Sequence, residues 1–232
     1  MDVIRENYQF IAMGFAHTIL LFVIAGIGSL LLGTLLAALR VGPVAVMRSV
    51  AGLYVTLVRN TPLLLILLFF SIAGPKIGIR FTWVDIVIHT GWGDIRMTNA
   101  FAGAVVGLTL YTAAFVCEAL RSGVNAVSPG QAEAARALGL TFGQSLSAVV
   151  LPQAFRTVIP PLGNVFIAMV KNSSIAAGFA VSELSSLLPR LVNADAAQLT
   201  AVLFGVVVAY MLITVPLAFG VNRLERRVAI LR

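Results

Sequence analysis

Thr18 to Leu39 runs for 22 residues without a charged side chain. As a helix this stretch is about 33 Å long, enough to cross the hydrocarbon of a bilayer. The pattern then recurs over residues 44–73, 99–119, 151–175 and 199–221. Stretch 44–73 is interrupted by Arg48 and by Arg59-Asn60-Thr61-Pro62, and stretch 99–119 by Glu118 alone. The fourth carries Pro152, Pro160 and Pro161 early and Lys171 late, and the fifth is uncharged but contains Pro216. With 59% apolar and 11% charged residues, the chain is far from the composition of a soluble domain. The expectation is an all-α membrane protein of five transmembrane helices, a single domain over residues 1–232.

Charge asymmetry sets the expected orientation, because basic residues accumulate in cytoplasmic loops. One side receives nine basic residues (Arg40, Arg48, Arg121, Arg136, Arg156, Arg223, Arg226, Arg227, Arg232) and the other five (Arg5, Lys76, Arg80, Arg96, Arg190). Carboxylates run the opposite way, with Glu118, Glu133 and Glu225 against Asp2, Glu6, Asp85, Asp94, Glu183 and Asp195. The N-terminus is therefore expected outside and the C-terminus in the cytoplasm. The net charge of +7 then reflects basic loops, and no nucleic-acid partner is expected. Asp2, Arg5 and Glu6 mix signs and the apolar run is too long for a signal core, so no cleaved leader is expected. One cysteine, Cys117, excludes an internal disulfide, and His17 and His89 stand apart without a carboxylate at ligand spacing, so no metal is expected.

Small residues at Ala25, Ser29, Gly33 and Ala37 share one face of the first span, and Gly103 and Gly107 repeat the spacing in the third. Such faces let helix backbones approach closely in lipid. Trp83 and Trp92 flank a moderately apolar external stretch and are expected at the headgroup level. Leu184, Leu187, Leu188 and Leu191 fall on one helical face. They predict a short amphipathic helix in the last external loop, interfacial or docking.

The loop over 128–150 carries the most local information. Ser128-Pro129-Gly130-Gln131 reads as a helix start, with Ser at the N-cap and Pro at the first helical position. Good helix formers follow to Leu138, and Gly139 is placed to end the run. Thr141-Phe142-Gly143-Gln144 repeats the capping pattern, and Pro152 lies where a second helix would turn into the membrane. Two short helices hinged at Gly139 are predicted on the cytoplasmic face.

Glu133-Ala134-Ala135, Gly139, Val149, Leu151 and Pro152 resemble the EAA loop that marks the permease subunits of ABC importers. Tyr111-Thr112-Ala113-Ala114-Phe115, Arg59-Asn60-Thr61-Pro62 and Lys171-Asn172-Ser173-Ser174 narrow the resemblance to the polar amino acid permeases of the histidine, glutamine and glutamate branch. It extends from about residue 14 to the C-terminus, with Val149 where the motif usually has Ile. The resemblance implies an ABC type I importer permease fold in the bacterial plasma membrane. It also implies a second permease subunit (the same chain or a paralogue), two cytosolic ATPase subunits and an extracytoplasmic solute-binding protein. Glu133, Ala134, Ala135 and Gly139 would couple to the ATPase, and glutamate is the first substrate suggested.

No phosphate-binding loop is present: Lys76 and Lys171 are followed by Ile77 and Asn172 and lack the glycine frame of G-x-x-x-x-G-K-[ST]. The chain is not expected to be an enzyme or to hold a cofactor, with ATP and Mg bound by a partner. A gradient-driven secondary transporter is the alternative. It typically shows two related halves, and five spans without an evident repeat argue against it. A scaffold role leaves the polar helix breaks unexplained.

Charge inside a membrane is costly unless it meets a partner or a cavity. Arg59 precedes a proline that removes a backbone donor and frees a carbonyl, and Lys171-Asn172-Ser173 is a second polar interruption. Arg59, Asn60, Thr61, Lys171, Asn172 and Ser173 are therefore the candidate substrate-pathway residues, forming a cationic patch near the middle of the bundle. The competing reading pairs Arg59 and Lys171 with Glu118 or helix carbonyls. Glu118 and Arg121, one turn apart, read as a structural pair.

Overall fold

The computed structural model describes residues 7–91, 93–189 and 199–228. Asp2, Arg5, Glu6, Trp92, Arg190, Leu191, Asp195 and Arg232, used above for orientation and loop assignments, lie outside the described residues. Helix α1 (Tyr8–Val41) is followed by α2 (Ala45–Arg59) and α3 (Leu63–Lys76), which meet at 98°. A hairpin of β1 (Ile86–Thr90) and β2 (Gly93–Met97) leads to α4 (Asn99–Asn125). The short α5 (Pro129–Ala137) and α6 (Phe142–Ser145) precede α7 (Leu151–Asn172), and α8 (Leu199–Val228) closes the chain.

Three of these helices, α1, α4 and α8, are long and apolar enough to cross a membrane, and the bent pair α2–α3 adds a fourth if taken as one span. Helix α7 is continuous through Pro160 and Pro161, but its prolines and its Gln153, Arg156, Asn164 and Lys171 dilute its apolar character.

The α2–α3 break falls at Asn60-Thr61-Pro62, where a proline cannot continue the helix. The neighbouring side chains close the open end: Asn60 Nδ2 donates to the Thr56 carbonyl at 2.8 Å and Thr61 Oγ1 to the Leu57 carbonyl at 2.8 Å. Beyond the break, Leu63 and Leu67 turn into a core with Leu21, Ala25, Ala104 and Leu108. On the other side of the break, Ala51 and Val55 pack against Ala37, Ala113 and Cys117. Helix α1 lies along α4, α4 along α7, and α7 along α8.

Small residues set these distances. A Cβ on Gly33 would lie 2.5 Å from Val116 Cγ1 and 2.9 Å from the Ala113 carbonyl, and one on Gly123 would collide with Val158 Cγ2. Ala25, Ser29, Gly33 and Ala37 are all buried on α1, so the small-residue stripe is the α1–α4 contact.

The region after α3 departs from the expected loop. It forms an antiparallel hairpin pairing Ile88 with Ile95 and His89 with Asp94, and Trp83 beside it is exposed. The alternating Ile86, Ile88 and Ile95 are a strand signal that the tryptophans obscured. The leucines after Glu183 do begin a short helix, 3-10 over Leu184–Ser186 and α over 187–189, but Leu184 and Leu187 are buried against Val202 and Ala209 with Phe10 and Phe15 alongside. They close the bundle from within instead of presenting an interfacial face.

Candidate functional site

A polar cleft opens where α1, α2 and α4 meet. It has a volume of about 350 Å³ and is lined by Arg40, Thr56, Arg59, Asn60, Phe115, Glu118 and Arg121, among others. Its centre is Glu118, whose Oε1 takes a close ion pair from Arg40 Nη1. Arg59 Nη1 lies 3.5 Å from Glu118 Oε2 and Arg121 Nη1 lies 3.8 Å from Oε1. The Arg40 side chain is 16% exposed, whereas those of Arg59 and Arg121 are 44% and 40% exposed. The Arg59 guanidinium carbon also lies 5.5 Å from the Phe115 ring centroid, a cation–π contact that fixes the direction of its fork.

The sequence reading paired Glu118 with Arg121, and its competing form paired Arg59 with Glu118, a contact that the structure also holds. The structure makes the Arg121 contact the longest of three and gives the principal partnership to Arg40, a residue counted only as a loop charge. The signal was weak: Arg40 and Glu118 both stand near the ends of spans, but Arg121 lies one turn from Glu118 and offered a nearer partner.

Of the candidate pathway residues, Arg59 and Asn60 line this cleft and Thr61, Lys171, Asn172 and Ser173 do not. The cleft also sits past the midpoint of α4, toward the Arg40 end, and not at the bundle centre. Lys171 is exposed and makes no ion pair among the described residues. Ser173 Oγ donates to the Val170 carbonyl and Ser174 Oγ to the Lys171 carbonyl, each at 2.7 Å, so these hydroxyls finish α7 as Asn60 and Thr61 finish α2. Asn172 is half-buried at the last position of α7. A larger groove of about 720 Å³ between α1, the hairpin and α8 is lined by side chains such as Ile11, Phe15, Ile88 and Leu212, and offers little to a polar solute.

The 128–150 loop folds by local bonds. Gly139 has φ +86°, a left-handed conformation that favours glycine. Around it Leu140 N–H donates to the Ala135 carbonyl (3.2 Å) and Gly139 N–H to the Arg136 carbonyl (2.9 Å), the bond pair of a Schellman ending. Thr141 and Gln144 form a reciprocal capping box at 2.9 and 3.3 Å. Ser128 departs from expectation: its side chain makes no cap, and its carbonyl accepts from Gln131 N–H at 3.0 Å instead. Glu133, Ala134 and Gly139 are exposed and Ala135 is buried, so the small size of Ala135 serves packing within the chain. The segment after α6 widens into a π turn, Leu146–Val150, and continues into α7.

At the opposite end of the bundle lies a carboxyl that sequence reasoning passed over. Glu183 is fully buried. Its Oε1 accepts from Ser185 N–H (2.7 Å) and Ser186 N–H (3.2 Å), and its Oε2 from Tyr210 Oη. Thr18 Oγ1 accepts from Leu184 N–H (3.1 Å) and donates to the Gly14 carbonyl (3.0 Å). The turn is thus tied to both α1 and α8. Burial pushes the Glu183 carboxyl from 4.5 up to about 7, and hydrogen bonds from Tyr210, Ser185 and Ser186 offset only part of that rise.

Comparison with known proteins places this architecture. The chain is 43% identical over 214 residues to the glutamate transport system permease protein GluC of Corynebacterium efficiens, covering 92% of this chain and 91% of that one. It is 37% identical over 227 residues to the probable glutamine ABC transporter permease protein GlnM of Bacillus subtilis, covering 98% and 97%. Its fold superimposes on a crystal structure of an amino acid ABC transporter with histidines, with a TM-score of 0.82, 27% identity and 97% of each chain covered. Residues 29–230 match the family model described as binding-protein-dependent transport system inner membrane component. A bundle of apolar helices with a separately folded two-helix loop, alike in sequence and fold over nearly its whole length, thus belongs to the inner membrane components of binding-protein-dependent transport systems.

Proposed function

We propose that this chain is the permease subunit of an ATP-driven importer that moves a polar amino acid, glutamate or glutamine, across the plasma membrane by alternating access. The similarity to glutamate and glutamine permeases over more than nine-tenths of the chain carries this reading. The polar cleft at Arg59 and Asn60 supports it, since broken helices that line cavities are where transporters hold solutes. In this reading α7 is the fifth crossing, with the N-terminus outside and the C-terminus in the cytoplasm. Arg59, Asn60, Thr61, Lys171, Asn172 and Ser173 belong to the substrate path. Glu133, Ala134, Ala135 and Gly139 form the knob that engages a cytosolic ATPase, where ATP and Mg bind and hydrolysis occurs. A second permease subunit and an external solute-binding protein complete the assembly.

Reconstitution tests the reading directly. Proteoliposomes containing the permease, its ATPase and its binding protein should take up glutamate or glutamine only with ATP and binding protein together. Uptake driven by an ion gradient without ATP would instead establish a secondary transporter. Gly139→Val, which forces a β-branched residue into a left-handed conformation, and Glu133→Lys should both insert normally yet lose substrate-stimulated ATP hydrolysis. Normal coupling in both would reduce the loop to a linker.

A further inference from the structure

We propose that the Arg40–Arg59–Arg121 cleft binds the carboxylates of an acidic amino acid, with Glu118 as a built-in occupant that the substrate partly displaces. This rests on the importer reading above and names the substrate class of its Arg59 site.

Three guanidiniums converge on one carboxylate, so the charged groups lining the cleft sum to +2. A positive excess focused in one cleft attracts an anion. The three contacts are unequal. Arg40 is buried and holds Glu118 closely, while Arg59 at 3.5 Å and Arg121 at 3.8 Å face the cavity. Each guanidinium carries five N–H donors in a planar fork suited to a carboxylate. Long contacts to one shared carboxylate leave most of those donors free.

The remaining lining fits the rest of an amino acid. Thr56 and Asn60 supply polar groups, and Phe115 backs the Arg59 fork. Glu118, the one carboxylate lining the cleft among the described residues, can receive an ammonium. A ligand with two carboxylates and one ammonium satisfies both free forks and the carboxylate at once. An amide side chain meets the second fork with a dipole in place of a charge. When the ligand leaves, Glu118 closes back onto Arg59, so the site never offers an empty cationic trap. A phospholipid phosphate shares the oxyanion chemistry, and the experiment must separate the two sources.

The complete importer in proteoliposomes provides the test, with glutamate and glutamine uptake compared for wild type, Arg59→Gln and Arg59→Lys. Arg59→Gln should lower the glutamate-to-glutamine uptake ratio by roughly tenfold or more, the order expected for a lost charge-assisted hydrogen bond, and Arg59→Lys should restore part of it. A second arm leaves the arginines intact. A thiol introduced by Thr56→Cys sits in the cleft while Cys117 is buried, and L-glutamate should slow its labelling more than L-glutamine does. This arm decides the matter even where Arg59→Gln fails to assemble. An unchanged uptake ratio in assembled Arg59→Gln complexes would overturn the inference while leaving the importer reading standing. Protection that tracks phosphatidylglycerol content and ignores glutamate would overturn it in favour of a lipid headgroup. Wild-type complexes that move neither amino acid would strike the importer's substrate assignment itself.

Discussion

Glu118 and Glu183 mark opposite ends of one bundle and are accommodated by opposite means. Glu118 is answered by charge, with three guanidiniums around one carboxylate. Glu183 has no cation within ion-pair distance among the described residues, and dipoles answer it instead: two backbone N–H groups and a tyrosine hydroxyl. The difference teaches what each end can do. A carboxylate shared among several cations can exchange one partner for another. A buried carboxyl held by dipoles alone sits close to neutrality, and its environment responds to protons.

Removing the carboxylate at the charged end breaks the contrast most severely. Glu118→Ala leaves three guanidiniums without a counter-charge and should destabilise the protein by about 3–5 kcal/mol, read as a fall in thermal unfolding temperature in detergent or nanodiscs. A small change would mean that water already carries most of the load there.

At the dipolar end the expected effect depends on pH. Folded Glu183 keeps its proton up to about pH 7, whereas an unfolded glutamate releases it near 4.5. The folded state therefore binds the extra proton between those values, and stability falls as pH rises through that window. The full effect is at most about 3 kcal/mol, from a shift of this size. Glu183→Gln should flatten this part of the stability profile. An identical slope in wild type and variant would place the titration elsewhere.

Smaller effects sharpen the ranking within the charged cluster. Arg121, long in contact and well exposed, should cost no more than about 1 kcal/mol when replaced by Ala, and Arg40→Ala should cost several times as much. Equal losses would erase the hierarchy inferred from geometry. His89→Ala belongs at the bottom of the scale. Its ring nitrogen donates a 2.7 Å bond to half-buried Asp94, whose carboxyl this contact draws below its ordinary value, and the unfolding temperature should not move.

The long-range lessons of the molecule were only partly legible in the chain. Local chemistry read well: the proline break at Pro62, the turn at Gly139 and the capping box at Thr141 depend on residues a few positions apart. The stripe of Ala25, Ser29, Gly33 and Ala37 also read well, because small size matters wherever two backbones meet. Partner choice read poorly. Arg40 and Glu118 lie 78 positions apart in the sequence, and nothing local distinguishes that pair from Glu118 with Arg121. Glu183 looked like an ordinary loop carboxylate, since its burial is created by Thr18, Leu184 and Tyr210 closing around it. The hairpin was missed because Trp83 and Trp92 drew the reading toward a headgroup-level stretch, although Ile86, Ile88 and Ile95 alternate as strand residues do.

The bend between α2 and α3 has an electrical side. Helix α3, Leu63 to Lys76, is about 21 Å long at 1.5 Å per residue, roughly 9 Å short of the hydrocarbon thickness. Because α2 departs at 98°, the straight apolar path along α3 alone is shorter than a full crossing. Membrane voltage does about 2.3 kcal/mol of work on a unit charge per 100 mV, and it falls mainly across the insulating part. If the pair α2–α3 is one crossing, a solute of net charge −1 moving beside it meets most of that voltage along the apolar α3.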